Sequence, residues 1–162
     1  MSKLNPKSPF NSSLETGVRA LVILVENYPQ SMDLQRLVDF DYLVVHSEDV
    51  DGPESLHSPL PMRAGELLIR RKIIESGIML MMSRGLLERM STDSGIEYIA
   101  SDTAMPFVNN LVSPYWAILK NRAAWVVERF GQVSDNELHM VTARFFDKWT
   151  PQFHQSQSLG GK

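Results

Sequence analysis

The chain has no cysteine among its 162 residues. That absence removes disulfides, thiolate zinc sites and cysteine nucleophiles together, and it fits a reducing cytosol. Long apolar runs are missing as well. "ALVILV" (Ala20–Val25) and "IMLMM" (Ile78–Met82) fall far short of the ~20 residues that a membrane span needs. The opening "MSKLNPKSPFNSS" lacks the apolar stretch of a signal peptide. There is no internal repeat, no G-x-x-x-x-G-K-[ST], no G-x-G-x-x-G and no G-x-S-x-G. The histidines His46, His57, His139 and His154 lie far apart and form no recognisable set. These absences predict a soluble cytoplasmic protein with no catalytic residues, no metal and no cofactor. The length suits one domain, or one domain with an appendage, able to bury roughly 70% of its unfolded surface.

What is present is mostly helix. "SSLETGVRALVILVENYP" opens on the capping spacing Ser12-x-x-Glu15. Leu14, Val18, Leu21, Val22 and Val25 then follow at helical spacing, and Pro29 stops the helix after Tyr28. "SMDLQRLVDFDYLVVH" reads as a second helix capped by Ser31 or Asp33, with apolar residues on more than one face, so it is buried on several sides or carries an interface. A third helix runs from about Ala64 to Arg84 and ends at Gly85 as a left-handed cap. "LLERM" and "IEYIAS" flank the turn "STDSG" and read as a hairpin. A short helix with Pro106 in its first turn follows. Ser113, Pro114 and Gly131 bracket another helix, and Ser134-x-x-Glu137 starts a last one that Pro151 ends.

Helices followed by a hairpin wing predict a mainly α fold, a winged helix-turn-helix core with a C-terminal helical extension. The expected divisions are a flexible N-terminus (1–10), a winged-helix domain (11–112) containing a long connector (46–63), the extension (113–150) and a flexible tail (151–162).

The net charge is only −3, but it is uneven. Met1–Pro61 holds four basic residues against nine acids, whereas Met62–Arg89 holds six basic residues against three acids. Arg63, Arg70, Arg71, Lys72 and Arg84 could therefore meet DNA phosphate, although a dedicated DNA binder shows a larger excess. The "GIMLMM" half of the third helix is too apolar for a groove helix, and its methionines suit the core or a protein partner. Trp116, Trp125, Phe130, Phe145 and Trp149 on the last two helices suit a core and a partner interface equally.

The connector "HSEDVDGPESLHSPLP" looks the most chemical. His46, Asp49, Asp51 and His57 are ligand types that suit zinc or manganese. None of them forms a compact helical pair, and the acid spacing of a calcium loop is absent. His46 at a helix end suits a partly charged imidazole facing the last carbonyls. Asp49 and Ser47 can cap loop amides. The favoured reading is an ordered connector held by His46, Asp49 and His57. Because long loops tend to be functional, it would present a partner-binding edge.

The runs "FNSSLETGVRALVILVENYP", "MDLQRLVDFDYLVVHSEDVDGPESLHSPLPMRAGELLIRRKIIESG", "SRGL" and "SPYWAILKNRAAWVVERF" resemble the type 2 middle component of bacterial ABC-three-component systems. Within these, the chain is similar to the small accessory subunit of Lamassu-type antiphage and antiplasmid complexes. The resemblance implies a non-enzymatic subunit that bridges an SMC-like ABC ATPase and an effector, often a nuclease. It further implies an effector held inactive until foreign DNA is sensed. Double-stranded DNA would be met mainly through the complex, and no membrane is involved. A winged-helix DNA-binding transcriptional regulator is the alternative.

Overall fold

The computed structural model describes residues 12–58 and 64–147; the side chains of 64–67 and 145–147 fall outside that description. Helix α1 spans Ser13–Asn27 and α2 Leu34–Val45, followed by a short 3-10 turn, Ser47–Val50. Helix α3 spans Ala64–Ser83. Strands β1 (Leu87–Thr92) and β2 (Gly95–Ala100) form an antiparallel hairpin in which Leu87 pairs with Ala100 and Thr92 with Gly95. Helices α4 (Ala104–Asn109), α5 (Pro114–Phe130) and α6 (Asp135–Asp147) complete the described chain. The protein is mainly helical with a small two-stranded hairpin.

Local chemistry sets most element ends. The Ser12 Oγ accepts the Glu15 amide at 3.2 Å, Asp33 accepts the Arg36 amide at 2.7 Å, and Ser134 accepts the Glu137 amide at 3.3 Å. Gly85 adopts φ 69°, the left-handed state that a glycine enters at little cost, and it turns the chain from α3 into β1. Ser113, Pro114 and Gly131 bracket α5 as expected, and Gly131 keeps right-handed geometry with φ −60°. The carbonyls at that end are satisfied from another helix instead, by Arg36, as described below.

Helix α1 is the axis of the fold. It packs against α2, α3, α4, α5 and β2, and every residue from Thr16 to Val25 is buried. Leu14, expected on the core stripe, is 57% exposed, just before the buried run that starts at Thr16. Helix α2 is likewise buried throughout Leu37–Val45. The α1–α3 crossing is close because glycines face each other. A Cβ on Gly17 would sit 2.6 Å from the Gly77 carbonyl oxygen.

The turn between α1 and α2 is tied to the hairpin. Met32 donates its amide to the Tyr98 carbonyl at 2.9 Å and accepts the Tyr98 amide at 2.7 Å. Helix α5 lays Leu119, Ala123, Val126 and Phe130 against α1 and α2, and α6 adds Leu138 and Thr142 beside α2.

Candidate interaction surfaces and the buried polar network

The connector is knitted to the helices around it from His46 to His57. The Tyr42 hydroxyl donates to the Asp49 carboxylate, and the Ser47 hydroxyl donates to the Pro53 carbonyl at 2.7 Å. Glu48 and Ser55 exchange bonds, each amide donating to the other's side chain at 3.1 and 3.0 Å. The His57 amide donates to Val45 at 3.0 Å, and Arg122 of α5 donates to the Glu54 carbonyl at 3.0 Å. Gly52 lies under Trp125, where a Cβ would fall 2.5 Å from the indole edge. The far part of the connector, with Pro59 and Pro61, is outside the described residues.

Beneath the connector runs a chain of polar side chains contributed by four helices. Arg19 of α1 and Asp41 of α2 are 2% and 1% exposed. The guanidinium donates to both carboxylate oxygens, at 2.8 and 3.3 Å. Arg70 of α3 donates to the same carboxylate at 2.6 Å. Arg19 also bonds Tyr115 of α5, whose hydroxyl lies 3.0 Å from His57 Nε2. The His57 ring meets His46 edge-on at 6.3 Å, and His46 lies 4.9 Å from the Tyr42 ring.

Charges this deep are tolerated only when paired and hydrogen-bonded. Burial alone would raise the Asp41 carboxyl, but Arg19 and Arg70 outweigh it and hold the group well below the usual carboxylate range. Burial pulls the Arg19 guanidinium down, and Asp41 more than reverses this. Arg19 and Arg70 converge on Asp41, with Asp49 and Glu15 close by. Burial first, with Arg70 beside His46 and Arg19 beside His57, lowers both imidazoles to about 4. The expected partly charged His46 is therefore corrected to a neutral, buried ring. Arg19 donates to the Tyr115 phenol oxygen, and the imidazole tautomer sets which way the 3.0 Å bond between that hydroxyl and His57 Nε2 runs.

The basic residues singled out from sequence do not converge. Arg70 is committed to Asp41, and Arg71 donates to Gln35 of α2 at 2.7 Å. Lys72 is exposed on the outer face of α3, and Arg84 is exposed just past its far end, roughly 18 Å along the axis. Arg63 lies outside the described residues.

The aromatic set divides. Phe130 is buried, and Trp125 stands edge-on to it at 6.2 Å while covering Gly52. Trp116 is half-buried, edge-on to Tyr115 at 5.1 Å. The Phe145 side chain and Trp149 are outside the described residues.

Sequence reasoning did not find Arg36. Its guanidinium donates to the carbonyls of Phe130, Gly131 and Val133 at 3.1, 3.2 and 2.9 Å, and to Asp135 at 2.8 Å. One side chain of α2 thereby caps the end of α5 and orders the turn into α6. It borders an open polar cleft of about 460 Å³ that also includes Asp33, Glu97 and Ser134. Arg19 and Asp41 were also missed, although a signal existed. Opposite charges inside two apolar helices imply a buried pair.

Among the described residues, no three or more His, Asp or Glu side chains are placed to hold a metal ion. No described helix is long and apolar enough to cross a membrane. The class defined this far is a mainly helical, hairpin-bearing domain whose buried polar groups hold its helices and connector together. A family model described as ABC-three component (ABC-3C) system Middle Component 2 matches residues 9–152, and the chain belongs to that family. It is a middle component of an ABC-three-component system, and a component of this kind works with protein partners. Neither a curated protein nor a solved structure matches the chain.

Proposed function

We propose that the chain is a non-enzymatic accessory subunit of a cytoplasmic bacterial defence complex of the Lamassu type. It bridges an SMC-like ABC ATPase and an effector, a nuclease in the chemistry the resemblance implies. It helps hold that effector inactive until foreign DNA engages the ATPase. The family match across residues 9–152 carries this reading.

The order of elements supports a winged-helix core. Helix α1, the paired residue Met32, helices α2 and α3 and then a hairpin follow one another as in that fold, with Met32 taking the place of its first short strand. The engagement of Arg70 and Arg71 with α2 favours an adaptor over a base-reading regulator, because those cations are already bonded within the protein. The outer face of α3 points the same way, because it carries Leu68 and Met79 with one cation, Lys72, balanced by one anion, Glu75, rather than a run of basic residues.

Co-expression of the tagged chain with its neighbouring genes, followed by affinity purification, tests the proposal. An SMC-like ATPase and an effector are expected to be retained together. Recovery of the chain alone overturns the bridging role. Tight, steeply salt-dependent binding of a DNA duplex by the isolated chain, lost in Arg70→Ala/Arg71→Ala, would establish the regulator instead.

A further inference from the structure

Helix α3 presents an outer stripe with the spacing of a coiled-coil seam. Gly77 faces α1, and the opposite side of the helix carries Leu68, Lys72, Glu75 and Met79. Their intervals are four, three and four residues, which keep all four on one line along three turns. All four are exposed, Leu68 by 62% and Met79 by 63%, although both are large and apolar. Ile69, 57% exposed, and the small Ser76 flank the stripe on one side.

The pattern is self-complementary in one orientation only. With two copies of α3 antiparallel across a two-fold axis at the middle of the stripe, Leu68 meets Met79 of the second copy and Lys72 meets Glu75. Ile69 then lies over Ser76. Side by side in parallel, lysine would face lysine and glutamate would face glutamate, which is unfavourable. A two-fold interface requires this kind of reciprocal matching, because each contact occurs twice. We infer that the outer face of α3 is a homodimer surface, occupied by α3 of a second copy in antiparallel register.

The absence of cysteine makes the test direct. Single Leu68→Cys and Met79→Cys chains are prepared, full length, and treated with a short thiol-specific crosslinker. Both sites are exposed, so folding is preserved, and circular dichroism checks it. An equimolar mixture of the two variants is expected to crosslink, and neither is expected to do so alone. In the antiparallel pair a residue lies roughly 16 Å along the axis from its own copy.

In light scattering, the mass is expected to rise with concentration from 18.4 kDa toward twice that value. Lys72→Glu and Glu75→Lys should each weaken association by about tenfold, since each mispairs two contacts. The double charge swap should restore it. A mass of 18.4 kDa at every concentration without crosslinking overturns the proposal. So does crosslinking of either single variant alone, which would place the copies in parallel. Loss of an ATPase or effector from the purified complex in Glu75→Lys, with no change in the mass of the isolated chain, would assign the face to that partner instead and also overturn it.

Discussion

Gly77→Ala sets two opposing effects against each other, and the structure decides which is larger. In an exposed helix, alanine is favoured over glycine by about 1 kcal/mol. Here the added Cβ would lie 2.6 Å from the Gly17 nitrogen, 2.7 Å from its Cα and 2.8 Å from the Ser13 carbonyl oxygen. All three are backbone atoms, so no rotamer change relieves the contact. Helices α1 and α3 must part by roughly 0.8 Å to restore ordinary separation, and a gap of that size forfeits a quarter to a half of each dispersion contact across it. The neighbours along the two helices, Val18, Leu21, Ile74, Ile78 and Met81, are all fully or nearly fully buried, so the loss is shared by many contacts. Overpacking strain runs to about 3 kcal/mol, and a rigid backbone target places this site at the upper end. The expected net effect is a destabilisation of about 2 kcal/mol. Urea denaturation followed by far-ultraviolet circular dichroism should show the midpoint falling by about 1 M with an unchanged slope. Gly17→Ala should behave alike, and the double variant should cost less than the two together, because the helices have already separated. An unchanged or raised midpoint for Gly77→Ala would refute the close-crossing argument.

Three further outcomes follow from the polar groups. Asp41→Asn leaves the buried Arg19 charge uncompensated and should cost about 3–5 kcal/mol in the same denaturation assay, whereas a loss under about 1 kcal/mol would show that the pairing matters little. Arg36→Ala should raise amide hydrogen exchange across Phe130–Val133 and the start of α6 and leave the α1–α3 pair protected; uniform exchange would contradict a local clamp. Acid should destabilise the protein in a window set by His46 and His57, whose folded values of about 4 lie below the ordinary 6.5. The unfolded chain then binds more protons between those limits. Stability is complete above pH 6.5 and falls as pH drops toward 4, by up to about 1.4 kcal/mol per pH unit for the deeply buried His46 and by less for the partly exposed His57. His46→Gln should flatten this dependence in unfolding measured across the window, and an unaltered slope would remove His46 as its source.

Local rules read this chain well wherever the cause lies within a few residues. Ser12, Asp33 and Ser134 cap the helices that their spacing announced, Gly85 turns the chain, and the hairpin forms around Asp93 and Ser94. Those rules fail where the partner is distant. Gly131 marks the end of α5 correctly, but nothing local announces that Arg36, 94 to 97 positions away, donates to the carbonyls of Phe130, Gly131 and Val133. Leu14 fits the apolar stripe and is nonetheless exposed, because periodicity reports which residues share a face but not which of them a neighbour covers. Arg70 reads as a phosphate ligand by charge and neighbourhood, and only the approach of Asp41 shows that its guanidinium is bonded inside the protein.

By itself the sequence determined the helical character, the hairpin, nearly all element ends and the family, since these depend on short-range spacing and on words in the chain. The tertiary structure decided which helix is central, how α1 and α3 meet through paired glycines, and how Arg19, Asp41, Arg70, Tyr115 and His57 join four helices and the connector. It also decided which side of α3 faces solvent. The reason is physical. A capping bond spans three residues, whereas the Arg19–Asp41 pair spans 22 and the Thr142–Asp39 bond spans 103, and no local rule selects a partner at that distance.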